Sequence, residues 1–187
     1  MKIQVGPRKN LLCPTPVVLV GANVSGKPNY TTVAYVGIIS RNLVSVAMAK
    51  VHYGNAGIKE NKTFSVNIPS VDIVAQADYC GMVSGKNVDK SGVFTTFYGD
   101  LKTAPMAEEC PVNLECKLTQ IIDSGHGETF IGQIVETYVS EDCMTNDLVD
   151  YAKVNPVLFV TEERKYWKLG SCFADAWKVG EALKNRQ

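Results

Sequence analysis

Lys50 and His52, the latter one of only two histidines, stand where an apolar run, Leu43-Val-Ser-Val-Ala-Met-Ala49, gives out. Tyr53, Gly54 and Asn55 follow, at the start of an expected short helix. Backbone amides at a helix start with a cation nearby suit an anion, above all a phosphate. Upstream, Asn29, Thr31 and Thr32 put small polar side chains on an expected strand. Downstream, Cys80-Gly81-Met-Val-Ser84-Gly-Lys86 and Asp89-Lys90-Ser91 form a polar, glycine-bearing stretch of the kind that often carries function. Taken singly, each residue has an ordinary role, since threonine is common on half-exposed strands and lysine at strand ends. The signal lies in their order.

Other chemistries are poorly served. Gly21-Ala-Asn-Val-Ser-Gly26-Lys27-Pro28 has the glycines and lysine of a nucleotide-binding P-loop, but Pro28 stands where a hydroxyl should hold magnesium. The β-branched Asn29-Tyr-Thr-Thr-Val33 that follows also reads as strand where a helix should start, so a hairpin turn is the better account. The six cysteines, at positions 13, 80, 110, 116, 143 and 172, contain no Cys-x-x-Cys pair and no Cys/His ligand rhythm. They read as reduced thiols, several of them buried. No Ser-His-Asp or Cys-His pair can be argued, and no Gly-x-Gly-x-x-Gly dinucleotide fingerprint is present.

These groups need a scaffold. At 187 residues the chain suits one domain spanning 1–187. Nineteen basic residues balance nineteen acidic ones without runs of like charge, which speaks against nucleic acid. The polar start Met1–Asn10 does not read as a signal peptide and no apolar stretch approaches a bilayer span, so a cytoplasmic protein without membrane contact is expected. Short β-branched runs predict strands at Pro16–Val24, Tyr30–Val36, Leu43–Ala49, Phe64–Ile68, Val112–Asp123 and Thr129–Ser140, with shorter ones at Val157–Thr161 and Tyr166–Leu169. Ser124-Gly-His-Gly127 is the expected turn of a long hairpin, and the apolar register slips near Ile134, as at a β-bulge. Helices are predicted over Ser70–Tyr79 and Phe173–Leu183, the second from the helical spacing of Phe173, Trp177 and Gly180.

The succession of strand, turn with Asn29, Thr-Thr-x-Ala, strand, Lys-x-His-Tyr, short helix and Phe64-Ser-Val-Asn-Ile68 resembles the flavin reductase-like family, from Pro14 to about Ser140. Tyr79-Cys-Gly81 and Val66-Asn-Ile-Pro-Ser70 resemble its flavoredoxin branch. The resemblance implies a mainly β fold, the FMN-binding split β-barrel with a few peripheral helices, and FMN as cofactor. It implies that Asn29, Thr31, Thr32, Val33 and Ala34 lie along the isoalloxazine ring, with Ala47 small enough to let the ring approach. Lys50, His52 and Tyr53 would reach the phosphate and ribityl chain, with Gly54 and Asn55 presenting amides. Cys80, Gly81 and Lys90 would belong to a second cofactor loop, Cys80 as a wall of the site. A homodimer with FMN near the subunit interface is also implied. The chain departs from the family's wording at Gly54, where a hydroxyl residue is frequent, and at Arg41-Asn42, where a Pro-Pro pair is. Three functions stay open: an NAD(P)H-dependent flavin reductase, an electron carrier served by a redox protein without its own nicotinamide substrate, and an FMN-free binding module.

Overall fold

A computed structural model describes residues 1–7 and 11–186; part of the polar N-terminal stretch, residues 8–10, lies outside the described residues. In chain order the elements are β1 (Thr15–Pro16), β2 (Val18–Val24), β3 (Lys27–Val33), β4 (Val36–Ser40), β5 (Leu43–Ala49), α1 (Gly54–Asn61), β6 (Thr63–Ile68) and α2 (Val74–Met82). Then come β7 (Thr96–Phe97), β8 (Met106–Ala107), β9 (Val112–Asp123), β10 (Gly127–Val139), β11 (Met144–Thr145), β12 (Leu148–Val149), α3 (Tyr151–Val154), β13 (Val157–Val160) and β14 (Lys165–Lys168). Seven strands form one antiparallel sheet in the order β3-β2-β6-β9-β10-β5-β4. The chain is thus mainly β, with the split barrel curled around a core of Val20, Val46, Ile58, Phe64 and Phe130. Burying side chains of this size stabilises the fold by about 1.5–3 kcal/mol each.

β2 is apolar from Val18 to Ala22 because both of its faces are covered there. Val18, Val20 and Ala22 point into the barrel. Leu19 points outward into a second cluster with Tyr30, Ala77, Cys80, Phe94 and Cys110, which glues α2 to the barrel wall. The segment that resembles a P-loop is the β2–β3 hairpin: Val24 pairs with Lys27, and the two turn residues, Ser25 and Gly26, have φ of 51° and 77°. Positive φ at both positions suits the right-handed twist of the flanking strands. Pro28 is tolerated within β3 because that strand is an edge of the sheet.

Most expected elements are present, with differences at their ends. The strand expected over Tyr30–Val36 starts earlier, at Lys27, and stops at Val33; Val36–Ser40 is a separate edge strand. The long hairpin turns at Ser124–His126, and its register shifts both at Ile134/Glu136 and at Ile131/Gly132. Ser70 accepts a hydrogen bond from the Asp72 amide and caps a 3-10 turn; α2 proper begins at Val74 and runs on to Met82, so Cys80 and Gly81 sit on its last turn. The helix expected over Phe173–Leu183 does not form. Its register would present Phe173 and Trp177 together, but both are almost fully exposed, at 98% and 93%, and only a 3-10 segment, Glu181–Arg186, follows. A short helix draws its stability from packing an apolar face, and here that face is left exposed among the described residues. Cys80, Cys110, Cys116 and Cys143 are buried free thiols, and Cys172 is an exposed one.

Candidate functional site

The chain leaves β5 at Ala49, turns through Lys50–Tyr53, and enters α1 at Gly54. The His52 amide donates to the Ala49 carbonyl at 3.0 Å, and no side chain caps the helix. Opposite this turn stand the last turn of α2 and the loop after it. Between them lies a cavity of about 360 Å3, with Thr31, His52 and Tyr53 on one side and Cys80, Ser84 and Lys90 on the other. A second cavity of about 360 Å3 shares Tyr53, Gly85, Lys86 and Lys90 with the first and extends past Asn29 to the β2–β3 turn. There Lys27 and Asp89 form an exposed ion pair at 2.8 Å. Gly85 sits at the junction of the two cavities: a Cβ on it would lie 2.3 Å from Asn29 Oδ1 and 2.6 Å from the Tyr53 ring.

The first cavity is short of negative charge. Lys90 is only 3% exposed, and its ammonium donates to the carbonyls of Cys80 at 3.1 Å and Val83 at 3.3 Å. Among the described residues no carboxylate pairs with it. Burial pulls the Lys90 pKa below its ordinary value. His52 is half-buried, and its pKa is lowered first by burial and then by the Lys90 charge. Its Nδ1 is buried without a hydrogen-bond partner among the described residues. Buried polar atoms are nearly always satisfied, so an orphaned ring nitrogen beside a buried cation marks a place for a ligand. The Cys80 thiol is pushed up to about 11 by burial, against the pull of Lys90, and stays protonated at neutral pH.

Of the residues singled out from the sequence, Thr31, His52, Tyr53, Cys80, Gly81 and Lys90 line this first cavity. Asn29 lines the second and donates to Thr31 Oγ1 at 3.4 Å. Alternation along β3 sends Thr32 into a third cavity, under β13 and β14, and Val33 into the core; Ala34, just past the strand, also lines that cavity. Ala47 pairs with Thr129 on β10, and its amide donates to Tyr35. Asn55 is buried and donates to the Ala49 carbonyl and the Glu128 carboxylate, both at 3.1 Å, while its Oδ1 is left without a partner among the described residues. Gly54 packs under the strand: a Cβ there would approach Asn29 Nδ2 to 3.3 Å, so a larger residue would need Asn29 to shift slightly. Lys50 is not part of the cavity lining; its ammonium is engaged by Asp123 at 2.7 Å, beside the β9–β10 turn.

Val51, Met82 and Val83 also line the first cavity; Met82 and Val83 fall within the glycine-bearing stretch that sequence marked, whereas Val51 carried no such sign. Phe159 and Tyr166 line the third and were legible only as short strands, because their approach to α2 depends on contacts far apart in the chain.

A flavin reductase like domain matches residues 10–165. Among solved structures, the chain is similar to a flavoredoxin from Methanosarcina acetivorans, with 39% identity, coverage of 98% of this chain and 99% of that one, and a TM-score of 0.93. A flavoredoxin from Desulfovibrio vulgaris (Miyazaki F) is 36% identical, with 97% of this chain and 100% of that one covered and a TM-score of 0.89. An FMN-binding protein from Thermus thermophilus shares the fold at 19% identity, with 94% and 99% covered and a TM-score of 0.79.

Proposed function

We propose, for a chain that belongs to the flavin reductase-like family and to its flavoredoxin branch, that it is an FMN-dependent electron-transfer protein whose first cavity receives the phosphate-bearing end of the cofactor. The observation that carries this reading is the buried Lys90 ammonium beside Nδ1 of His52, the first without a carboxylate and the second without a hydrogen-bond partner among the described residues. An anion there would restore charge balance and fill the vacant hydrogen-bond position. Bound FMN supplies the electron and hydride chemistry, and the protein supplies position and electrostatics.

The chain's own groups divide that work. Lys90 offers a fixed positive charge, held in place by the Cys80 and Val83 carbonyls. His52 is biased toward its neutral form and can either accept or donate one hydrogen bond at Nδ1. Asn29 and Thr31, linked to each other, present polar atoms along β3. Cys80 serves as a wall; a thiol held protonated is a poor nucleophile and needs no partner cysteine. Lys50, spent on Asp123, contributes little to the phosphate.

The flavoredoxin likeness favours an electron carrier supplied by a redox protein over an NAD(P)H-dependent reductase. The same reading places the protein in the cytoplasm as a homodimer; the exposed Phe173, Trp177 and Val179 are apolar surface that a second copy could cover. The visible spectrum of the purified protein, followed by extraction and mass identification of the cofactor, tests the cofactor assignment. FMN is expected, and FAD or a flavin-free protein that takes up no FMN would overturn it. Anaerobic addition of NADH and NADPH then separates the two roles: a carrier leaves the flavin oxidised, and a reductase bleaches it.

A further inference from the structure

A fourth cavity, about 250 Å3, lies at the open end of the β9–β10 hairpin, beside the small β7-β8 sheet. It shares no lining residue with the three cavities described above. Two rings wall it, Phe97 from β7 and Tyr138 from β10, 5.5 Å apart and at 83°. Such an edge-to-face corner presents the negative face of a ring. Beside the rings stands Glu108, which is exposed, and among the described residues no ion pair engages its carboxylate. Asn113 also lines the cavity and is only 4% exposed. Both of its amide protons are spent, on Asn67 Oδ1 at 2.8 Å and the Ala107 carbonyl at 2.9 Å, so what its side chain can still offer is Oδ1. Burial, and then the charges of Glu115, Asp100 and Glu136, raise the Tyr138 pKa, so negative charge gathers around that ring. No lysine, arginine or histidine lines the space. An anion would be repelled there, and a neutral apolar molecule would leave the carboxylate unused. An ammonium group answers each element: its charge meets Glu108 and the ring faces, and its N–H groups meet the amide oxygen. The volume is that of about eight waters, enough for a short alkyl chain.

We propose that this cavity binds a primary alkylammonium group, that of a small free amine or of a lysine side chain, between Glu108 and the rings of Phe97 and Tyr138. The site stands apart from the cavities assigned to the flavin and does not depend on the function proposed above.

The test is an NMR titration of the purified protein at constant ionic strength, followed at the Asn113 side-chain amide and the Ser140 backbone amide. n-Butylammonium should bind at one site per chain with a dissociation constant on the order of millimolar. 1-Butanol, the same chain without the charge, should bind at least about tenfold more weakly, and tetramethylammonium, a cation without donors, at least about threefold more weakly. Glu108→Gln should cost about 10- to 150-fold, while Glu109→Gln, which removes the neighbouring charge held by Thr95, should cost no more than about threefold. Tyr138→Leu should cost about 3- to 30-fold, the worth of a cation over a ring, and Tyr138→Phe less than about twofold. N-acetyl-lysine N-methylamide separates the two sources. Binding as tight as that of n-butylammonium assigns the site to a lysine side chain, and much weaker binding assigns it to a free amine; either upholds an ammonium site. Absent n-butylammonium binding, equal binding of 1-butanol or tetramethylammonium, equal losses in Glu108→Gln and Glu109→Gln, or equal losses in Tyr138→Leu and Tyr138→Phe would each overturn it.

Discussion

Two lysines stand at opposite sides of the turn between β5 and α1, and their surroundings differ in every respect. Lys50 is exposed and neutralised by Asp123 across the end of the β9–β10 hairpin. Lys90 is buried, faces a cavity and, among the described residues, has only carbonyl oxygens as partners. An exposed pair gains little, because water screens it and two long side chains must be ordered to make it. A buried cation without a counter-ion is costly, and a protein keeps one where something else supplies the charge. The lysine that matters for an anionic ligand is therefore the one that the fold strains to hold.

The largest expected effect falls on the buried member. Lys90→Ala should weaken FMN binding by about 10- to 150-fold, the loss of one charge-assisted contact, measured by fluorescence titration. Next comes the junction between the two cavities. Gly85→Ala forces Asn29 or Tyr53 to move, and overpacking of this kind costs about 1–3 kcal/mol in denaturant unfolding. An unchanged midpoint would show that those side chains swing aside freely.

His52 gives the site a pH signature. Its folded pKa lies below the ordinary histidine value of about 6.5, so the unfolded chain takes up the proton first as pH falls. Stability of the flavin-free protein should hold above about pH 6.5 and decline as pH drops through the interval down to the folded pKa. His52→Asn should flatten that decline, and an identical pH profile in the variant would assign it to other groups.

At the small end, Trp177→Ala should change unfolding stability by less than about 0.5 kcal/mol, since the residue is 93% exposed. A larger loss that depends on protein concentration would point to a second copy covering the ring.

Sequence made much of the barrel visible for a physical reason. β5 and β9 are bounded by the residues that sequence marks, because β-branched side chains filling both faces or alternating along one leave few other readings. The C-terminal helix failed by the same logic: Phe173 and Trp177 have the right spacing, but periodicity shows only that a face could be buried and not that a partner surface exists. The site was half legible. Thr31, His52 and Cys80 fall at one cavity because local turns bring them there. Sequence put Lys50 first at the phosphate and Lys90 in a second loop, because it does not show that Lys50 meets Asp123, a residue far along the chain that the β9–β10 turn carries back to it. Tyr166 reaches Asp78 by a similarly distant route.

The contrast between the two lysines is tested most directly by dissociation constants for FMN and riboflavin in the wild-type protein, Lys90→Ala and Lys50→Ala. Riboflavin carries the ring and ribityl chain without the phosphate, so it reports every contribution except the one in question. The account predicts a loss of about 10- to 150-fold for FMN in Lys90→Ala, less than about threefold in Lys50→Ala, and little change for riboflavin in either. A larger FMN loss in Lys50→Ala than in Lys90→Ala, or equal losses of FMN and riboflavin in Lys90→Ala, would contradict it.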